Sequence, residues 1–168
     1  MSHLLYGITV WGGSPNNCLD RLSKLQKKAI RNVFNAKYNC HTKPLFSQLK
    51  CLNLHDSYIL YSCKMAYKRK LNILPAYHSS KLPFNYEIRP GNTRQNDFVA
   101  LIKPNSLLKI NSFNYRIGEA WNNIPYNIRS DLCYKKRSEK CFALKIKYNL
   151  LESYKIPCSI INCNICKR

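Results

Sequence analysis

The stretch 19–34, LDRLSKLQKKAIRNVF, constrains this chain more than any other. At about 100° per residue, Leu19, Leu22, Leu25, Ala29, Ile30, Val33 and Phe34 fall on one half of a helical wheel, the pattern of a helix that buries one face. The other half carries Arg21, Lys24, Lys27, Lys28 and Arg31. Asp20 is the only acid and sits in the first turn, where the helix dipole favours it. Pro15, Asn16 and Asn17 precede the helix, and either Asn can cap it. A basic stripe of this kind is either a solvated face or a phosphate-binding one, and the helix alone does not separate the two.

The whole chain leans to the second reading. It has 28 Lys plus Arg against 8 Asp plus Glu in 168 residues, a net charge of +20 and a pI near 9.8. Such a charge repels itself unless a polyanion is near, so RNA or DNA, met mainly through phosphates, is the expected partner. A/T-rich codon usage would explain the many Asn, Ile, Tyr and Lys residues but not the scarcity of acids. The length suits one domain with its own core. No apolar run approaches the ~20 residues that span a bilayer, so no membrane partner is expected. The N-terminal sequence MSHLLYGITVWGG has no basic n-region and no small-residue cleavage site. Nucleus or cytoplasm, not secretion, is the expected location. Nine cysteines at irregular spacings read as free thiols in a reducing compartment.

Further along, residues 4–11 are apolar and bounded by Gly12, Gly13 and Pro15, with Trp11 an expected structural anchor, as is Phe34. Residues 44–54 offer a short helical turn and then a break. Asn53 is placed to cap a second long helix over about 54–71, and Asp56, three residues on, to complete a capping box. That helix ends in Lys68, Arg69 and Lys70, which suit a helix C-terminus and form a second candidate phosphate patch. Residues 73–111 are punctuated by Pro75, Pro83, Pro90, Gly91 and Pro104, and only 98–103 is strand-like, with room for one short hairpin. Phe113, Ile117, Ala120 and Trp121 return to helical spacing before a stop at Pro125; Trp121 and Pro125 are further anchors. A last amphipathic helix follows Ser138, with Phe142, Ala143, Ile146, Leu150 and Leu151 inward. The expected fold is mainly α, a small helical domain of about four helices with an irregular middle.

Self-contained chemistry is hard to find. The eight acids are scattered singly, whereas two-metal phosphoryl transfer needs clustered carboxylates. No phosphate-binding glycine loop and no nucleophile elbow is present. No cofactor is expected. Cys158, Cys163 and Cys166 are spaced like part of a zinc knuckle, but three ligands are not four, which leaves them a weak metal candidate that Cys141 or Cys133 would have to complete.

Four segments, in order, carry a resemblance: YGITVWGG at 6–13, LQKKAIRNVF at 25–34, PLFSQLKCLNLHDSY at 44–58 and WNNIPYNIR at 121–129. Together they resemble the region after the polymerase palm in reverse transcriptases of non-LTR retrotransposons, the jockey and CR1-like LINE elements. The last segment is the most specific, with Ile124 where the family usually has Leu. The resemblance spans residues 4 to about 151, within a helical body 1–151; a Cys-rich basic tail, 152–168, lies outside it. It implies a thumb-like helical region that holds template and primer beside a palm, which would be its packing partner. The family's aromatic-x-Asp-Asp motif is absent from this sequence, so the resemblance brings no catalytic residue and no enzyme activity by itself. Three readings stay open: a polymerase fragment, a free-standing nucleic-acid-binding protein derived from such an element, and an interaction module for an acidic protein.

Overall fold

The computed structural model describes residues 2–89, 91, 94–130 and 138–155. In chain order these form α1 (Ser2–Leu5), α2 (Ile8–Trp11), α3 (Asn16–Val33), α4 (Thr42–Gln48), α5 (Leu54–Lys70), α6 (Ala76–Ser80), α7 (Asn85–Ile88), α8 (Leu107–Ile110), α9 (Phe113–Asn122), α10 (Tyr126–Ser130) and α11 (Glu139–Glu152), with a 3-10 turn at Ser153–Lys155. The architecture is mainly α, as expected, and the four long helices read from the sequence are α3, α5, α9 and α11. Among the described residues the anticipated hairpin is reduced to one isolated antiparallel bridge between Phe84 and Val99. Beside it the Asn85 amide donates to Phe98 O at 2.9 Å and the Ala100 amide to Pro83 O at 2.8 Å. Around that bridge the irregular middle winds into the short helices α6, α7 and α8, which local periodicity does not reveal.

The central element is α5, not the more conspicuous α3. α5 packs against α2, α3, α9 and α11 and so buries residues on several sides, among them Tyr58, Ser62, Cys63, Ala66 and Tyr67. The largest core cluster joins Cys63, Ala66 and Tyr67 to Ile117 and Trp121 of α9, Phe142 and Ile146 of α11, and Leu82, Phe84 and Val99 of the middle segment. Tyr67 and Phe142 stack with ring centres 4.2 Å apart, and Trp121, wholly buried, meets Phe84 edge-on at 6.1 Å. A second cluster gathers Ile30, Leu45, Phe46, Leu52, Leu151 and Tyr154, with Phe34 against it. A third gathers Ile8, Leu54 and Tyr58, with Trp11, Leu19 and Leu22 against it.

Of the four expected anchors, Trp121 is a core residue, while Trp11 and Phe34 are only partly buried at cluster edges. Pro125 is exposed: α9 ends at Asn122, and the Pro125 carbonyl starts α10 by accepting from the Ile128 and Arg129 amides at 3.1 and 3.2 Å. Neither Asn16 nor Asn17 caps α3; Pro15 occupies the cap and both Asn lie in the first turn. Asn35 and Asn72, at φ 48° and 55°, end α3 and α5 in the left-handed conformation that Asn tolerates better than most residues. In α9, Gly118 admits the middle segment so closely that a Cβ there would lie 2.5 Å from Leu101 Cδ2.

The segment WNNIPYNIR acquires a packing role. Trp121 Nε1 donates to Asp97 O at 2.8 Å. Asn122 grips Val99 twice, its Oδ1 accepting from Val99 N at 2.9 Å and its Nδ2 donating to Val99 O at 3.0 Å. The buried Arg129 lies with its Cζ 4.0 Å from the Phe98 ring centre. Three residues of one motif thus hold three consecutive residues of the middle segment.

The start of α5 is built as expected, with one addition. Asn53 Oδ1 accepts from Asp56 N at 2.8 Å, and Asn53 Nδ2 donates to Asp56 Oδ2 at 2.9 Å. The Asp56 carboxylate does not return to the Asn53 amide as a capping box would. Instead Tyr154 Oη accepts from Asn53 N at 3.1 Å and donates to Asp56 Oδ2. A residue assigned to the tail therefore closes the cap of the central helix, and the helical body runs past residue 151 to include it. Burial, and donation to the carboxylate, raise the Tyr154 pKa above its ordinary value. A raised folded-state pKa gives stability that is complete below the unfolded value of about 10 and is lost as pH rises beyond it. Tyr154→Phe should cost about 1–2 kcal/mol in urea unfolding at neutral pH and should make the loss of stability above pH ~10 shallower. An unchanged alkaline slope would show that the hydroxyl is not held this way.

Candidate nucleic-acid interface

The rotation of α3 is fixed by Gln26, a buried polar residue in the middle of the wheel's apolar half. Its Nε2 donates to Leu52 O at 3.2 Å and its Oε1 accepts from Leu54 N at 2.9 Å, so one amide satisfies two backbone groups at the start of α5. Leu19, Leu22, Ile30 and Phe34 flank that contact inward, whereas Leu25, Ala29 and Val33 lie exposed. The buried stripe is narrower than the sequence suggests, and Gln26 lies near its centre.

With that face fixed, Arg21, Lys24, Lys27 and Lys28 point outward, all exposed and none with an ion pair or side-chain hydrogen bond to a described residue. They lie within two helical turns, about 10 Å of axis. Arg31, the fifth expected member, is partly buried and does another job. Its Nε donates to Cys40 O at 3.0 Å and its Cζ sits 5.8 Å from the Tyr38 ring centre, holding the loop that follows the helix.

The second expected patch is not a free cationic surface. Arg69 is buried, its Nη2 lying 2.7 and 2.8 Å from the two Glu87 oxygens, its Nε donating to Ser79 O and its Nη1 to Asn72 Oδ1, both at 3.0 Å. Glu87 also accepts from the Phe84 amide at 2.9 Å and so starts α7. Lys70 Nζ lies 2.9 Å from Asp97 Oδ1. Lys68 shares Glu139 with Lys64, at 3.4 and 3.0 Å, which ties α11 to α5. Burial disfavours the charged Glu139, but the two lysines outweigh it and hold the carboxyl below its ordinary value. The acids that neutralise this helix end lie 18 residues away or more, out of reach of local sequence reading.

Charge is thus segregated along the molecule. Glu87, Asp97, Glu119 and Glu139 are in ion pairs and Asp56 is in the cap, while α3 carries only Asp20 against its outward cations. Among the described residues no group of three or more His, Cys, Asp or Glu is placed to hold a metal. Cys158, Cys163 and Cys166 lie outside the described residues. Cys63 is buried in the core, which pushes its thiol pKa up to about 12. Among the described residues no helix is long and apolar enough to cross a membrane.

No protein-family model, no curated protein and no solved structure matches the chain.

The two basic regions should respond oppositely to mutation. Arg69→Ala strands Glu87 and should destabilise by about 2–3 kcal/mol, less than breaking a fully buried pair because Glu87 keeps some solvent. The triple variant K24E/K27E/K28E should change stability by under about 0.5 kcal/mol. Urea unfolding of both variants measures this, and comparable losses would contradict the assignment of Arg69 to structure and of the α3 lysines to solvent.

Proposed function

We propose that this chain is the basic, post-palm helical part of a non-LTR retrotransposon reverse transcriptase, and that it grips the phosphate backbone of template and primer without itself catalysing polymerisation. The observation that carries the nucleic-acid reading is the outer face of α3, where Arg21, Lys24, Lys27 and Lys28 project within two turns with no acidic partner among the described residues. A convex helix of this kind suits a duplex backbone, which it can follow by neutralising successive phosphates, and it offers little means of reading sequence. The polymerase assignment rests on the four ordered segments described above. Catalysis would come from a palm that this sequence does not contain. Sequencing the transcript upstream of the Met1 codon tests that origin: a reading frame, intact or shifted, that enters a palm with paired aspartates supports it, and a transcript beginning just before that codon favours a free-standing binding protein.

The helix assignment has a separate test. With R21E/K24E/K28E, affinity for duplex DNA and for RNA·DNA hybrid should fall alike across sequences. The slope of log K against log salt should flatten by about 3, at ~0.9 for each phosphate that the variant no longer neutralises. Fluorescence anisotropy over a salt series reads both. Unchanged affinity and slope would sink the assignment.

A further inference from the structure

Beside the end of α5 where Arg69 and Lys70 hold Glu87 and Asp97, the middle segment and α9 enclose a groove of about 840 Å³. Its floor is the segment that Asn122 and Trp121 fix at Val99 and Asp97, and Gly118 lets that segment lie tight on α9. Lys81, Arg89 and Lys109 line it, and among the described residues no carboxylate does. None of the three is in an ion pair among the described residues, because the neighbouring acids Glu87 and Asp97 are held by Arg69 and Lys70. Two aromatic rings, Phe98 and Tyr115, and two side-chain amides, Gln95 and Asn114, complete the part of the lining that bears on recognition. The Phe98 ring is held in place by Arg129, 4.0 Å away.

We infer that this groove is a second nucleic-acid site, specific for an unpaired strand. The volume lies within the range of small-ligand pockets and accommodates only a few nucleotides. The three cations match phosphates, the rings offer stacking faces, and the amides can meet base edges. In a duplex the base faces are stacked and the pairing edges engaged, so the rings of the groove find no face to stack on. An unpaired strand can use all three kinds of group at once. The inference deepens the nucleic-acid reading by giving the molecule separate places for duplex and single strand, and it stands on residues that the α3 argument does not use.

Binding of a short single-stranded RNA and of a blunt duplex, each followed by fluorescence anisotropy, tests it in three proteins: wild type, K81Q/R89Q/K109Q and R21E/K24E/K28E. The groove variant should bind the single strand about tenfold or more weakly, and the duplex within about twofold of wild type. Ultraviolet crosslinking of the bound strand to wild type should map to Tyr115 or Phe98. Circular dichroism confirms that the variants fold, and Tyr115→Ala, which leaves the charge intact, should still lower single-strand affinity several-fold. The inference is overturned if the groove variant keeps single-strand affinity, if it loses duplex and single strand equally, or if an acidic peptide of matched charge competes as well as the RNA does. Retention of duplex affinity by the α3 variant would instead remove the helix assignment and leave the groove standing.

Discussion

Eight acids must serve twenty-eight cations in this chain, and the placement of those few carboxylates governs the rest of the structure. Most of the described ones converge on the central helix. Asp56 closes its first turn with Asn53 and Tyr154, Glu139 receives Lys64 and Lys68 along its side, and Glu87 and Asp97 receive Arg69 and Lys70 at its end. Of the four cations in its last two turns Arg69 is buried and depends on its partner most, since an unpaired buried charge costs several kcal/mol, while Lys64, Lys68 and Lys70 are partly exposed and their pairs contribute less. Neutralising α5 leaves almost no acid for α3, whose outward cations remain uncompensated. Core stability and surface potential are two results of one allocation of charge.

The geometry of the pairs also orders the irregular middle of the chain. Glu87 joins α7 to the end of α5, Asp97 is held both by Lys70 and by the indole of Trp121, and Asn122 and Arg129 grip Val99 and Phe98. A region whose regular hydrogen bonding is limited to three short helices and one bridge among the described residues thus acquires fixed backbone from side chains contributed by helices on either side of it in sequence. The segment 121–129 is in this light a clamp for residues 97–99. Trp121, Asn122 and Arg129 act there through packing and hydrogen bonding.

Hydrophobic periodicity finds the four long helices but ranks them wrongly. α3 is conspicuous because it is half exposed, and a half-exposed helix separates polar from apolar residues most cleanly. α5, buried on several sides, mixes Ser57, Ser62 and Arg69 with its apolar residues and shows little periodicity, although it is the element on which the others pack. Four of the five expected α3 cations face solvent, because the wheel alone settles that. Arg31 and the 68–70 cluster escape a local reading because their partners, a carbonyl nine residues on and carboxylates 18 to 71 residues on, are matters of tertiary structure. Two further features do carry local signals: Gln26, a lone amide centred in an apolar face, and Asn35 and Asn72, placed just past helix ends. Tyr154 carries none, since its partners are 98 and 101 residues away.

Lysine acetylation footprinting of the full chain, with and without a bound duplex, tests most directly whether the uncompensated face of α3 is the one that meets the phosphate backbone. Bound duplex should slow acetylation of Lys24, Lys27 and Lys28 and leave Lys64 and Lys68, already held by Glu139, unchanged. Uniform slowing at all these lysines, or slowing confined to the α5 pair, would contradict it.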